Sequence, residues 1–560
     1  MKNLVEKESG AKFWQENSVA LWENHKFILP FLITVLVCIA WMNRFVQDDA
    51  FISFRYAENF ANGYGLVWNP GERIEGYTNF LWTITIGFLM SLGVEPVISS
   101  FILGIVLFSI SLIFCYKIAR AVFENQIISL LSVVLLGTNY SFSSYATGGL
   151  ETQLQTCLFL IAIDRAICCV KKRSLQLSNV LILSMASALA MLTRLDSAVL
   201  LSTIFVVVSL SILQKVSLVR TKIVYFLALC IPFATLVGGW LIWKQFYYGD
   251  ILPNTFYTKV SVGTSLYVGI EYVSKMLISY WLVPFPFLLI FSSQQLFKTI
   301  ENNSIRVLLV FPVVLWLAYI IKVGGDFMEF RFLVPILPLC FILIAWTIAD
   351  AVKNKNIQLA LISLIIFGSL QHWKSFGVFV KTGGIEPIAR LQGHLSLQHE
   401  NWEDIGKVLQ EKLPENSDVT IAVTPAGAIP YYSGLASIDM HGLNDRWIAK
   451  NGKFLSSRPG HQKGATFDYL MSRQANLIIA HPHMVRNEDF QPNAFTLKEI
   501  NSAYFFGTIE EKSSFPDTAK MVKIPVDREF SLIAVYLIDN PAIEEQIARG
   551  DWKVFPILKS

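Results

Sequence analysis

Eleven long apolar runs occupy the first 373 residues, near 27–46, 98–116, 127–145, 153–170, 178–193, 198–213, 224–246, 282–297, 305–322, 331–350 and 357–373. At 1.5 Å per helical residue each is about the length that crosses a hydrocarbon core roughly 30 Å thick, the shorter ones tightly. Such a chain must be solvated largely by lipid. Composition agrees: 53% of the 560 residues are hydrophobic and only 16% charged, against about a quarter charged in soluble domains. The net charge of +4 gives no basis for a nucleic-acid partner. All seven cysteines (38, 115, 157, 168, 169, 230 and 340) fall in apolar runs, so no disulfide framework is implied.

About 26 mostly polar residues precede the first run, and no small-residue cleavage site follows it. The first run is therefore expected to stay as an anchor, with residues 1–26 cytoplasmic. Basic connectors then set the parity. Lys117/Arg120, Lys171-Lys172-Arg173, Lys215/Arg220/Lys222, Lys298/Arg306 and Lys353/Lys355 recur at every second gap, so all can face the cytoplasm. This alternation requires the doubtful apolar stretch 78–92 to be an interfacial or re-entrant helix, giving eleven crossings within 27–373. An outer loop over 47–97 then carries the acidic pair. The remaining outer gaps hold "GGLET" (148–152), "TRLDS" (193–197), "YYGDILPNTFYTK" (247–259), "KVGGDFMEFR" (322–331) and everything after about 374.

Residues 374–560 change character. "SDVTIAV", "ANLIIAH" and "REFSLIAVYLID" read as strands and "WEDIGKVLQEKL" as an amphipathic helix, which predicts an extracytoplasmic α/β domain.

Asp48 and Asp49 stand where the first run ends. A helix-end pair at the water boundary is the plain reading; a general base or metal ligand in an outward cavity is the functional one. The following segment places Phe51, Phe54, Ala57 and Ala61 on one stripe and Arg55, Glu58 and Asn62 on another, as in a helix lying in the interface plane. "PNTFYTK" contributes Asn254 and Lys259. "GGDFMEFRF" contributes Asp326, Glu329 and Arg331 behind two glycines, which permit close backbone approach. Arg331 could grip a phosphate bidentately and Lys259 as a point charge, although a cation at a helix end can also simply snorkel. Glu151 and the Arg194/Asp196 pair open two further crossings. Acids and cations on one face beside lipid describe a site for a lipid phosphate and a polar acceptor. In the last domain "SIDMHGLNDRW" offers His441, Asn444 and Asp445 as acceptor contacts or as buried structural polar groups. "HPH" (481–483) has metal-ligand atoms but no partner motif. No nucleotide-binding glycine loop occurs.

"DDAFISFRYAENFANGYGLVWNPGERIEGYTNFLW", "GLET", "RLD", "PNTFYTKV", "GGDFMEFRFLVPILP" and "DMHGLNDRWIAK…GHQK", in this order, resemble the terminal arabinofuranosyltransferases and their broader relatives. These belong to the GT-C class of polyprenyl-phosphate-dependent glycosyltransferases. The resemblance covers nearly the whole chain. It implies a bacterial inner-membrane enzyme that moves a sugar from a polyprenyl-phosphate donor to a hydroxyl of a cell-envelope glycan or glycolipid. Asp48 and Asp49 would be catalytic. Arg331, Lys259, Asn254, Arg194, Asp196, Asp326 and Glu151 would hold the donor, and His441, Asn444 and Asp445 the acceptor. Arabinan-building members are Ala- and Arg-rich, whereas this chain favours Ile, Lys, Asn and Ser, so the sugar stays open between arabinofuranose and a related pentose or hexose. No cofactor is demanded; Mg²⁺, Mn²⁺ or Ca²⁺ on the aspartates would suit their oxygen ligands. The rival readings are another lipid-linked group transferase, a polytopic transporter and a non-enzymatic scaffold.

Overall fold

A computed structural model describes residues 27–171, 175–260, 266–378, 380–414, 417–456, 458, 460–488, 490, 495–511 and 514–559. The proposed cytoplasmic segment 1–26 and the Lys259 side chain lie outside the described residues.

All eleven apolar runs are helical where the sequence places them. Six helices are long and apolar enough to cross a membrane unaided: Pro96–Phe123, Thr152–Lys171, Ser197–Lys215, Val219–Tyr248, Asn303–Val323 and Arg331–Ala351. A bent pair, Leu266–Ser279 with Pro284–Phe291, makes a seventh span if it is one span; its two halves meet at 91°. The break sits at Trp281, whose φ is 56°, and Pro284 begins the second half. Phe27–Met42, Gln126–Thr138 and Leu177–Thr193 are shorter apolar helices. The run at 127–145 stops early because Asn139 leaves the helix and caps a new one, accepting from the Phe142 N–H at 3.0 Å. Phe80–Ser91, the doubtful stretch, is a helix of 12 residues. It rises about 18 Å, too little for a full crossing.

The bundle has two chemically different ends. At one, the basic connectors tie down loose carbonyls. Lys171 Nζ donates to the Ala121 carbonyl (2.7 Å), Lys215 Nζ to that of Cys169 (2.9 Å), and Lys353 Nζ to that of Asp350 (2.7 Å). At the other end all the motif loops converge under the C-terminal domain. The alternation of basic gaps in the sequence sorts the connectors in this same way.

That domain holds a mixed sheet in the order Ala436–Asp439, Thr420–Val423, Leu477–Arg486, Phe530–Tyr536, Lys520–Pro525 and Lys553–Phe555. The first three strands are parallel, and the rest pair antiparallel. The three expected strands and the expected helix, Trp402–Lys412, are present. The carboxyl ends of Thr420–Val423 and Ala436–Asp439 lead into loops that press on the helix bundle. Open α/β sheets generally bind ligands at such ends.

Candidate active site

The helix Asp48–Ala61 carries its acids in the first turn, where they complement the exposed N–H groups and the positive end of the dipole. Its apolar stripe is buried as expected, Phe51, Phe54 and Ala57 included. On the other stripe Asn62 is exposed and Glu58 half-buried. Arg55 is buried, and its guanidinium donates to the carbonyls of Trp68 (2.7 Å), Leu435 (2.7 Å) and Pro430. The helix is therefore clamped between the bundle and the C-terminal domain. Asp48 completes the clamp: its two carboxylate oxygens accept from the N–H of Ala428 (2.7 Å) and Gly427 (3.1 Å). Burial raises the Asp48 carboxyl to about 7; the two N–H donors pull the other way and the neighbouring Asp49 charge adds to the rise.

Asp49 faces a cluster of opposite charges. It is close enough to act electrostatically on Arg331, whose Nε and Nη2 both donate to Asp326 Oδ2 at 2.8 Å. Arg194 donates to Glu151 Oε1 (2.7 Å) and to Asp196 Oδ2 (2.6 Å). Both guanidiniums lie against one ring, Phe332, at 5.2 Å for Arg194 and 5.3 Å for Arg331. Glu151 also accepts from Asn79 Nδ2 (2.9 Å), at the start of the Phe80–Ser91 helix. The "GGLET", "TRLDS" and "GGDFMEFR" motifs are thus one ion-pair assembly beside the acidic pair. Among the described residues no three His, Cys, Asp or Glu side chains are grouped to hold a metal ion.

Beside Asp326 opens a cavity of about 250 Å³, lined by Tyr272, Lys275, Phe327, Gly383 and Arg458 among others. Lys275 pairs with Glu271 at 2.6 Å. Gly383 has a φ of 59°, in the left-handed region that favours glycine. The wall is fixed by a backbone pairing, Glu329 N to the Glu386 carbonyl (3.1 Å) and Glu386 N to that of Phe327 (2.6 Å). Behind it the buried Glu329 accepts from Ile388 N (2.8 Å) and meets His372 Nε2 at 2.8 Å.

Residues 27–408 match the model of the Alg9-like mannosyltransferase family. The chain belongs to that family. Its class, GT-C, is the one the motifs suggested. Residues 390–534 match a domain of unknown function. A terminal β-(1→2)-arabinofuranosyltransferase of Corynebacterium glutamicum is 26% identical over 425 residues, covering 69% of this chain and 57% of that protein. The chain therefore spans little more than half of that relative. Two solved structures share the fold at 10% identity. ArnT from Cupriavidus metallidurans bound to undecaprenyl phosphate superposes with a TM-score of 0.57, covering 92% of this chain and 98% of that one. The archaeal oligosaccharyltransferase AglB from Archaeoglobus fulgidus, in complex with an inhibitory peptide and a dolichol-phosphate, gives 0.51 over 91% and 74%.

In this GT-C chain the other expected residues have these positions. Asn254 Nδ2 is shared among the carbonyls of Gly442 (2.8 Å), Leu443 (3.0 Å) and Asp445 (3.1 Å), so "PNTFYTK" staples the "HGLND" loop to the bundle. Asn444 accepts from Tyr56 Oη (3.1 Å). Its N–H and those of His441 and Gly442 converge on Asp439, a carboxyl raised by burial to about 6. Asp445 caps the helix Arg446–Asn451. His441, half-buried, packs against His461, which in turn meets Phe327 of the cavity wall. Four residues were not anticipated. Lys275 and Arg458 line the cavity. Lys244 and Glu75 form an ion pair at 2.7 Å with side chains 0% and 4% exposed, and burial lifts the Glu75 carboxyl to about 7 against the pull of Lys244. A lysine inside an apolar run is costly enough to have been a signal.

Proposed function

We propose that the protein is a glycosyltransferase that moves a sugar, arabinofuranose or a related pentose or hexose, from a polyprenyl-phosphate donor to a hydroxyl of an envelope glycan or glycolipid. The reaction would take place at the outer face of the bacterial inner membrane. The observation that carries this reading is the convergence of Asp49, the Arg194/Arg331 assembly on Phe332 and the Lys275/Arg458 cavity at one end of a GT-C bundle. The relatives' lipid-phosphate ligands and arabinofuranosyl activity support it.

In the proposed step Asp49 accepts the proton of the acceptor hydroxyl as its oxygen bonds to the anomeric carbon. The bond from that carbon to the donor phosphate breaks, and its electron pair stays on the phosphate. Arg331, held in line by Asp326, with Lys275 and Arg458 across the cavity, stabilises the charge on the departing phosphate. Glu151 and Asp196 fix Arg194, and Asp326 would bind sugar hydroxyls. His441 would meet the acceptor. Asn444 and Asp445 act by shaping its loop, as Asn254 does. Lys259 is retained as a further donor contact, and a divalent ion on Asp49 and Asp48 as an addition on which no step above depends.

The test is transfer from labelled polyprenyl-phosphate sugars by purified protein. Asp49→Asn is expected to lower kcat by roughly 10²–10⁴-fold without loss of folding. Full activity in that variant would refute the assignment; consumption of a lipid-linked donor other than a sugar would favour a different group transferase.

A further inference from the structure

A second cavity, of about 400 Å³, lies apart from the one beside Asp326. Its lining includes Arg44, Phe45, Phe101, Gln392, Leu395 and Glu403. It opens between the end of the first apolar helix, the start of Pro96–Phe123 and the amphipathic helix Ile388–Ser396. The last of these turns Ile388, Leu391 and Leu395 inward. Three features fix the class of occupant.

The first is depth. Trp41, 46% exposed, meets Phe101 edge-on at 6.1 Å. Phe31 and Val35, below Trp41 on the first helix, and Ile102 beside Phe101 remain open to the surroundings, as lipid-facing residues do. An aromatic of this kind marks the headgroup level. The second is a cation. Arg44 Nη1 donates to the Trp41 carbonyl (3.1 Å), and its guanidinium lies 5.2 Å from that ring. No carboxylate pairs with it among the described residues. The third is an anion on the same cavity. Glu403, in the first turn of Trp402–Lys412, pairs with the exposed Lys407 at 2.6 Å and meets the Tyr432 hydroxyl, and surface ion pairs of this kind are weak.

We propose that this cavity is a binding site for a zwitterionic glycerophospholipid. Arg44 takes the phosphate, Glu403 the ammonium, and an acyl chain runs down past Phe101, Ile102 and Val106. An ammonium-bearing headgroup is preferred over a purely anionic one because a second negative charge-bearing face, Glu403, would repel the latter. The bound lipid sits where the first helix and the C-terminal domain meet. It would seat that domain on the membrane independently of donor binding.

Native mass spectrometry of the full-length protein, released from nanodiscs of equal phosphatidylethanolamine and phosphatidylglycerol, tests this. The wild type is expected to retain phosphatidylethanolamine preferentially. Arg44→Gln should lower retention of both lipids by about fivefold, the factor for one basic contact at a headgroup. Glu403→Gln should abolish the preference while leaving phosphatidylglycerol bound. Equal retention of the two lipids by the wild type, or unchanged retention in both variants, overturns the proposal. So does a rise in the acceptor KM on Arg44→Gln with lipid retention unchanged, which would make the cavity an acceptor site.

Discussion

Replacing Gly427 with alanine tests the join between the helix bundle and the C-terminal domain. The glycine is not needed for backbone freedom, since its φ is −99°. It is needed for room. A Cβ there would lie 1.9 Å from the Asp48 carbonyl oxygen and 2.6 Å from its carbonyl carbon. Both are backbone atoms, so no side chain can rotate away. The segment 427–428 must withdraw, and Asp48 then loses the two N–H donors at 3.1 and 2.7 Å. Hydrogen bonds to a charged group contribute about 1.5–3 kcal/mol each, so the clasp is worth roughly 3–6 kcal/mol before any overpacking cost. Even the lower figure moves the melting of a domain of about 190 residues by roughly 6–12 °C. The assay is thermal unfolding in detergent at pH 8, where Asp48 is ionised, paired with limited proteolysis of residues 374–427. Gly434→Ala is the control: its φ is 67° and no atom lies within 4 Å of the new Cβ, so it should cost only about 1–2 kcal/mol. A Gly427→Ala protein that melts and resists protease like the wild type would refute the claim that Asp48 docks the domain.

Lys244→Met should destabilise the protein by about 3–5 kcal/mol, because Glu75 is left buried without its partner. Lys244→Met combined with Glu75→Leu should recover most of that loss, read by the same melting assay. Stability should also fall as pH rises, through two windows. Asp48 has a folded value near 7 against an ordinary 3.8, so the folded state holds a proton the unfolded chain releases between those values. Burial pulls His394 down, but Glu386 and Glu400 more than reverse it and hold it up to about 9 against an ordinary 6.5. Its contribution is whole below pH 6.5 and lost through pH 9, amounting to about 3 kcal/mol. His394→Asn should flatten the upper window and leave the lower one; an unchanged profile would count against the pairing. Arg331→Lys should lower transfer, because the two donors now on Asp326 cannot both be kept by an ammonium, whereas equal kcat would remove Arg331 from the phosphate site.

What could be read in advance follows physical range. Hydropathy is local, so the eleven apolar runs were found, although Leu266–Ser279 was not among them, and charge in the connectors sorted the two ends of the bundle. The strands at 420–423, 477–486 and 530–536 announced themselves by apolar runs; Lys520–Pro525, whose short apolar stretch is broken by Lys520 and Lys523, did not. The break at Asn139 and the bend at Trp281 escaped because a span and its interruption have the same hydropathy. At the site, the motif residues were individually visible, but their pairing was not: Arg331 with Asp326 is a neighbour contact, while Arg194 with Glu151 and the shared Phe332 ring join three separate loops. Asn254 looked like a ligand contact, yet its amide spans three carbonyls of a loop nearly 190 residues away.

The apolar runs and the acids at their ends determined by themselves that this chain lies in a membrane and keeps its charged motif side chains at one end, since transfer free energy depends on each residue and its near neighbours. Only the tertiary structure decided which acid is clasped by backbone N–H groups and which faces the guanidiniums. Asp48 and Asp49 are adjacent and chemically identical, and what separates them is the position of Gly427 and Ala428, brought in by a domain folded far along the chain.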